Sequence, residues 1–148
     1  MRAYFFGNMY LSSIQQGIQA AHCVSEIFSK YQKYHNGEYK YDILYTWAKR
    51  HKTMILLNGG YASNLEEIIK FFAHKQNSYP WAKFKEEKDS LNNSTTCVGI
   101  VLPAKVYDAA KEYRMAIADN EKDHVLQPFG TWERSLIADV LCQYQLAH

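Results

Sequence analysis

The sequence predicts a layered α/β domain with helices on both faces of a sheet. Three observations lead there. Short apolar or aromatic runs suited to strands alternate along the chain with amphipathic stretches suited to helices. Two of those runs, residues 52–58 (KTMILLN) and 95–102 (TTCVGIVL), are continuously rather than alternately apolar, as in strands covered on both faces. Hydrophobic residues make up 47% of the 148, and tyrosine alone contributes 12, which is too much apolar mass for a disordered chain. The length fits one domain, and neither a repeat nor a low-complexity linker marks a second.

The elements follow in order. Residues 2–10 form an aromatic-rich first strand, punctuated by the turn-prone pair Gly7-Asn8. Ser13 with Gln16 makes a capping box, so a helix is predicted over about residues 14–31. Ile14, Ile18, Ala21 and Phe28 would form its inner stripe, with Val24 and Ile27 beside it. A polar, tyrosine-laden stretch turns at Asn36-Gly37. A short helix over about residues 42–50 is capped by Asp42 and buries Ile43, Leu44 and Trp47. Lys49, Arg50, His51 and Lys52 stand at its end. There they suit the helix dipole, and the same run would suit phosphate contact.

The second strand, residues 52–58, is broken by Gly59-Gly60. Glycines before a helix invite a phosphate, but neither G-x-G-x-x-G nor a Walker lysine accompanies them. Ser63 and Glu66 form another capping box, ahead of Leu65, Ile68, Ile69, Phe72 and Ala73. Tyr79-Pro80 leads into an alternating strand over residues 81–85, then a polar loop over 86–94, then the buried strand over 95–102. Pro103 opens a helix striped by Val106, Ala109, Ala110, Tyr113 and Ile117. Residues 119–123 read as a charged, solvated loop. Thr131 caps a last helix lined by Trp132, Leu136, Ile137, Val140, Leu141 and Tyr144.

Composition excludes several classes. No apolar window of ~18 residues exists to span a membrane, and the N-terminal apolar run is too short for a secretory signal. Cys23, Cys97 and Cys142 are odd in number, far apart and in apolar surroundings. That favours buried, reduced thiols and a cytoplasmic chain over disulfides or zinc; no metal or cofactor is expected. The net charge of +2 and pI of about 8.3 fall short of a dedicated duplex binder. His51-Lys52-Thr53 has the H-x-T form of two-histidine phosphodiesterases but occurs once, so one imidazole would lack its partner. His22 and Cys23 are adjacent on a helix and project about 100° apart, poor geometry for a nucleophile and base. Tyr31, Lys33, Tyr34, His35, Tyr39, Lys40 and Tyr41 interleave aromatic and basic groups. They suit base stacking with phosphate contact, and equally a tyrosine surface packing on the domain or a partner.

Three stretches resemble the archaeal–eukaryotic type of peptidyl-tRNA hydrolase. Residues 17–23 (GIQAAHC) resemble its G-K-x-A-A-Q-C. Residues 52–57 (KTMILL), followed by Leu65-Glu66-Glu67, resemble its second strand and helix. Tyr79-Pro80-Trp81-Ala82 and residues 95–100 (TTCVGI) resemble its L-P-Y-A and T-K-T-V-L-G-I. The resemblance implies a three-layer α/β/α sandwich on a four-stranded mixed sheet, with a core of about residues 2–117 and an added C-terminal helix over about 131–146. It implies hydrolysis of the ester joining peptide to tRNA.

Carried over by position, the resemblance assigns catalytic roles to Glu86, Ser90 and Thr96, where the family has an aspartate and two threonines. The family's lysine position holds Ile18, whose alkyl chain neither orients water nor stabilises an oxyanion. His22, one turn on, would have to rebuild the missing donor, or else only fills a helix position. Gln16 could supply a neutral donor, and Lys49, Arg50 and Lys52 would contact substrate. Two functions stand open at this point. One is a hydrolase of peptidyl-tRNA. The other is a non-catalytic member of the fold that binds RNA, a nucleotide-like ligand or a protein partner. In either case the last helix could cap its own core or pair with a copy of itself as a homodimer.

Overall fold

The computed structural model describes residues 1–32, 39–87 and 93–147. Four strands form one mixed sheet: β1 (Arg2–Gly7), β2 (Met54–Asn58), β3 (Trp81–Lys85) and β4 (Thr95–Leu102), in the order β2-β1-β4-β3. β1 runs parallel to β2 and antiparallel to β4, which is antiparallel to β3. β4 is buried at every position, as its unbroken apolar run requires.

Two helices cover opposite faces. Thr95 and Thr96 are consecutive on a strand and so point to opposite sides. The Thr95 hydroxyl donates to Glu66 on α3 (Ala62–Phe72), and the Thr96 hydroxyl donates to Gln19 on α1 (Ser13–Lys30). Phe5 and Phe6 divide in the same way. The ring of Phe6 meets Phe72 of α3 edge-on at 5.8 Å. Gly99 lies under the Phe5 ring and the Cys23 thiol of α1, where a Cβ would fall 2.7 Å and 3.1 Å from their atoms. α2 (Tyr39–Thr46), which continues into a π-helical turn (Trp47–His51), joins the α1 layer through Tyr45, edge-on to Phe28 at 5.4 Å. The fold is therefore the expected α/β sandwich on a four-stranded mixed sheet.

Several details depart from the sequence expectation. The first strand stops at Gly7. α1 is capped by Ser12 with Gln15, one residue earlier than the expected Ser13 and Gln16. Its buried face is Gln16, Gln19, Ala20, Cys23 and Ile27, while Ile14 and Ile18 are 78% and 51% exposed. The helix is thus turned away from the predicted stripe. The small Ala20 and Cys23 let α1 settle on the Gly99 site, and the two glutamines find polar partners inside. α2 begins at Tyr39, so Asp42 lies within its first turn rather than at the cap.

α3 starts from Tyr61, whose N–H donates to Asn64 Oδ1; Glu66, the expected capping partner, instead takes the Thr95 hydroxyl at 2.6 Å. β2 is the outermost strand and is only partly covered: Leu57 is its one buried residue, and Met54 is 47% exposed. A continuous apolar run does not distinguish edge from centre. The free edge of β2 receives the end of the chain. Asn58 N–H donates to Gln145 O and Ala147 N–H to Leu56 O, both at 2.9 Å, with Leu57 opposite Leu146.

The chain divides into two compact units, Met1–Leu102 with Gln145–His148, and Pro103–Tyr144. The second holds α4 (Ala104–Met115), α5 (Asp119–Leu126) and α6 (Thr131–Ser135), the last running on as a π-helical segment (Leu136–Leu141). The expected loop over 119–123 is helical. Asp119 and Glu121 occupy its first turn, where the dipole favours them, and Glu121 accepts the Ile117 N–H at 3.2 Å. Ile117, expected in the stripe of α4, lies beyond its end and is 94% exposed. Arg134 closes the other end of α5, donating to the carbonyls of Leu126, Gln127 and Phe129. The final helix ends at Leu141, short of the expected 146. Arg114 and Cys142 join it to α4 through Leu141 O and Ala110 O.

Candidate functional site

The inward face of α1 places Gln19 between β3 and β4. Its Nε2 donates to Glu86 Oε2 at 2.9 Å, and its Oε1 accepts from Thr96 Oγ1 at 2.8 Å. The orientation of the amide follows from its neighbours, because a carboxylate only accepts. Thr96 is 1% exposed, so its one proton must be satisfied inside the protein; Gln19 Oε1 is a closer acceptor than Phe84 O at 3.4 Å. Glu86 follows β3 directly and is half-buried, its N–H donating to Ser94 O at 3.2 Å. Glu86 Oε1 takes no hydrogen bond from a described residue.

Beside Thr96 opens a cavity of about 270 Å³ lined by Asn8, Tyr10, Leu11, Tyr61, Ala62, Ser94 and Thr96. The rings of Tyr10 and Tyr61 stand 6.5 Å apart at its mouth and are 84% and 54% exposed. Asn8 shapes the floor. Its N–H donates to Thr96 O, its Nδ2 to Thr95 O, and its Oδ1 accepts the Tyr10 N–H.

Of the residues assigned a chemical role by sequence, Glu86 and Thr96 come together, through Gln19. His22 lies on the exposed side of α1, stacked on Phe84 at 4.7 Å and 15°, so its ring is held against the same strand that ends in Glu86. Ser90 lies outside the described residues, as do Lys33, Tyr34, His35 and the Asn36-Gly37 turn. Gln16 is buried rather than presented to substrate. Its Nε2 donates to Leu11 O at 2.9 Å, and its Oε1, set against Gly7, accepts from no described residue.

Lys49, Arg50 and Lys52 do not join this group. They follow α2 at the end of the sheet where β1 begins: Ala3 N–H donates to Thr53 O, and the N-terminal amine meets His51 Nδ1 at 3.2 Å. Thr96 and Glu86 lie at the other end of β1, a strand length of about 17 Å away. Lys49 and Arg50 border an open polar cleft with Tyr41, Asp42, Tyr45 and Thr46. Lys52 adopts a left-handed conformation (φ 55°) and donates to Lys49 O, closing the helix end. The Gly59-Gly60 loop is likewise committed. Gly59 N–H donates to Gly7 O and Gly60 N–H to Asn58 Oδ1, leaving neither amide for a phosphate.

Gln19 is the residue that sequence reasoning missed. It stood inside the GIQAAHC stretch, one turn before Cys23 and about one turn after Gln16. The available signal was a polar position in register with the small residues Ala20 and Cys23. Cys23 and Cys97 are buried free thiols; a hydrogen bond with Cys23, and then burial, hold the Cys97 thiol well above the ordinary thiol range, so it is no nucleophile. Among the described residues no cluster of three His, Cys, Asp or Glu side chains could hold a metal ion, and no helix is long and apolar enough to cross a membrane.

The group thus offers a fixed carboxylate with one open oxygen, a hydroxyl already donating, and a small cavity flanked by aromatic rings. No family model matches the chain, and no curated protein matches it.

Proposed function

We propose that this chain is a hydrolase resembling peptidyl-tRNA hydrolase and cleaves the ester between a peptide and tRNA. The observation that carries this reading is the Glu86–Gln19–Thr96 chain beside an aromatic-rimmed cavity. In this reading Glu86 Oε1 removes a proton from water as the oxygen adds to the ester carbonyl. Gln19 holds the carboxylate in place through its other oxygen. Tyr10 and Tyr61 receive the terminal base of the acceptor strand by stacking. The tetrahedral adduct then collapses, the ester C–O bond breaks, and the tRNA 3′ oxygen leaves with the proton that Glu86 took from water. Buried, reduced Cys23 and Cys97 accord with a cytoplasmic setting for such work.

One arrangement favours the second reading, a non-catalytic binder of RNA, a nucleotide-like ligand or a protein partner. Ile18 stands half-exposed where the family has its lysine, and the Thr96 proton is spent on Gln19. Release of tRNA from purified peptidyl-tRNA decides between them. The hydrolase reading expects turnover that falls about 10²–10⁴-fold in Glu86→Gln, the range for loss of a general base. No turnover by the native chain, with tRNA still bound, would leave the binding reading.

A further inference from the structure

Where α1 ends and β3 begins, three lysines from three elements gather around an aromatic floor. Lys30, the last residue of α1, places its Nζ 3.8 Å from the centre of the Trp81 ring and donates to Trp81 O at 3.1 Å. The same ammonium lies 5.5 Å from the Tyr31 ring, and Lys40 of α2 approaches that ring at 6.0 Å. Lys83, two residues after Trp81 on β3, shares its strand face and is exposed.

Among the described residues, positive charge dominates the cluster. Lys30 is pulled down from 10.5 to about 8, first by partial burial, then by the positive charges of Lys40 and Lys83. No described carboxylate forms an ion pair with any of the three. Lys40 shares the first turn of α2 with Asp42, and the helix dipole there disfavours its positive charge. Rings and a carbonyl hold Lys30 in place but do not neutralise it. The ligand that relieves all these terms is a compact anion.

We propose that Lys30, Lys40 and Lys83 form a phosphate-binding site, separate from the Glu86 site and independent of whether that site is catalytic. The ligand class is a phosphate group, free or carried by a nucleotide. A bound phosphate favours the charged ammonium, so it draws the Lys30 titration upward. Affinity should accordingly fall as pH rises past about 8, with Lys40 of α2 and Lys83 of β3 as the other charges facing Lys30.

The test is an NMR titration of the intact protein carrying ¹³C-methylated lysines, with inorganic phosphate and with adenosine 5′-monophosphate as probes. The site predicts that saturating probe moves the Lys30 midpoint up by about one unit, which corresponds to about tenfold weaker binding to the neutral amine. It predicts that Lys83→Gln or Lys40→Gln weakens the probe at least about fivefold, while Lys70→Gln, whose ammonium is paired with Glu67, does not. Tighter binding of the nucleotide would identify a nucleotide phosphate, and equal binding would identify the free anion; both support the site. An unmoved Lys30 midpoint with both probes, or unchanged affinity in both lysine variants with the fold intact by circular dichroism, overturns it.

Discussion

Gln19 illustrates how one side chain can define a site. Its amide satisfies a buried hydroxyl from one strand and a carboxylate at the end of another, 77 and 67 residues away in sequence. Removing it would leave the buried Thr96 hydroxyl only the longer contact to Phe84 O at 3.4 Å. Gln19→Leu should therefore cost about 1–3 kcal/mol, the penalty of an unsatisfied buried polar group. Thr96→Val should cost about as much, because it orphans Gln19 Oε1 instead. The double variant should cost less than the sum by at least about 0.5 kcal/mol, as measured by urea unfolding, because the two side chains share one hydrogen bond. Additive losses would mean that the bond contributes nothing. Gly99 marks a second constraint at this scale. Gly99→Ala drives a Cβ into the Phe5 ring and the Cys23 thiol, both fully buried. It should lower stability by about 1–3 kcal/mol through overpacking, read from the same unfolding curves.

At the level of elements, α1 decides most of the chemistry. The stretch SSIQQ contains two overlapping capping boxes, Ser12 with Gln15 and Ser13 with Gln16. Only the first leaves Gln16 free to turn inward onto Leu11 O. Periodicity pointed to Ile14 and Ile18 as core residues, but the helix buries glutamines and small residues instead. Ile18→Lys separates the two registers. An exposed position should tolerate it within about 0.5 kcal/mol, whereas a core position would not. If Glu86 works as a base, the same variant adds the cation that the family has at this position, and tRNA release should rise. Loss of cooperative unfolding in this variant would contradict the exposed placement of Ile18.

For the molecule as a whole, the chain's return to the sheet matters. After the helices of the second unit, residues 145–147 pair with the edge of β2 and cover its backbone groups. Truncation after Tyr144 removes two backbone hydrogen bonds. It should cost about 1–3 kcal/mol in unfolding and expose an edge that associates with increasing protein concentration, visible by light scattering. A truncated chain as stable and as monodisperse as the full one would show that this segment contributes little.

The sequence was enough to read the strands, the helices other than α5 and the buried character of β4, and it carried the resemblance that implied a four-stranded α/β sandwich. Apolar period, turn residues and prolines act over a few neighbours, so they can be read locally. It also brought Glu86 and Thr96 forward, by position in a resemblance. Only the tertiary structure decided which face of α1 turns inward, that Gln19 joins those two residues, and that Lys49, Arg50 and Lys52 stand at the opposite end of the sheet. It alone brought Lys30 onto Trp81 with Lys40 and Lys83 close enough to act on it, and laid residues 145–147 on the edge of β2. Each of those outcomes depends on contacts between distant segments, where sheet order and close packing at Gly99 outweigh the local hydrophobic pattern.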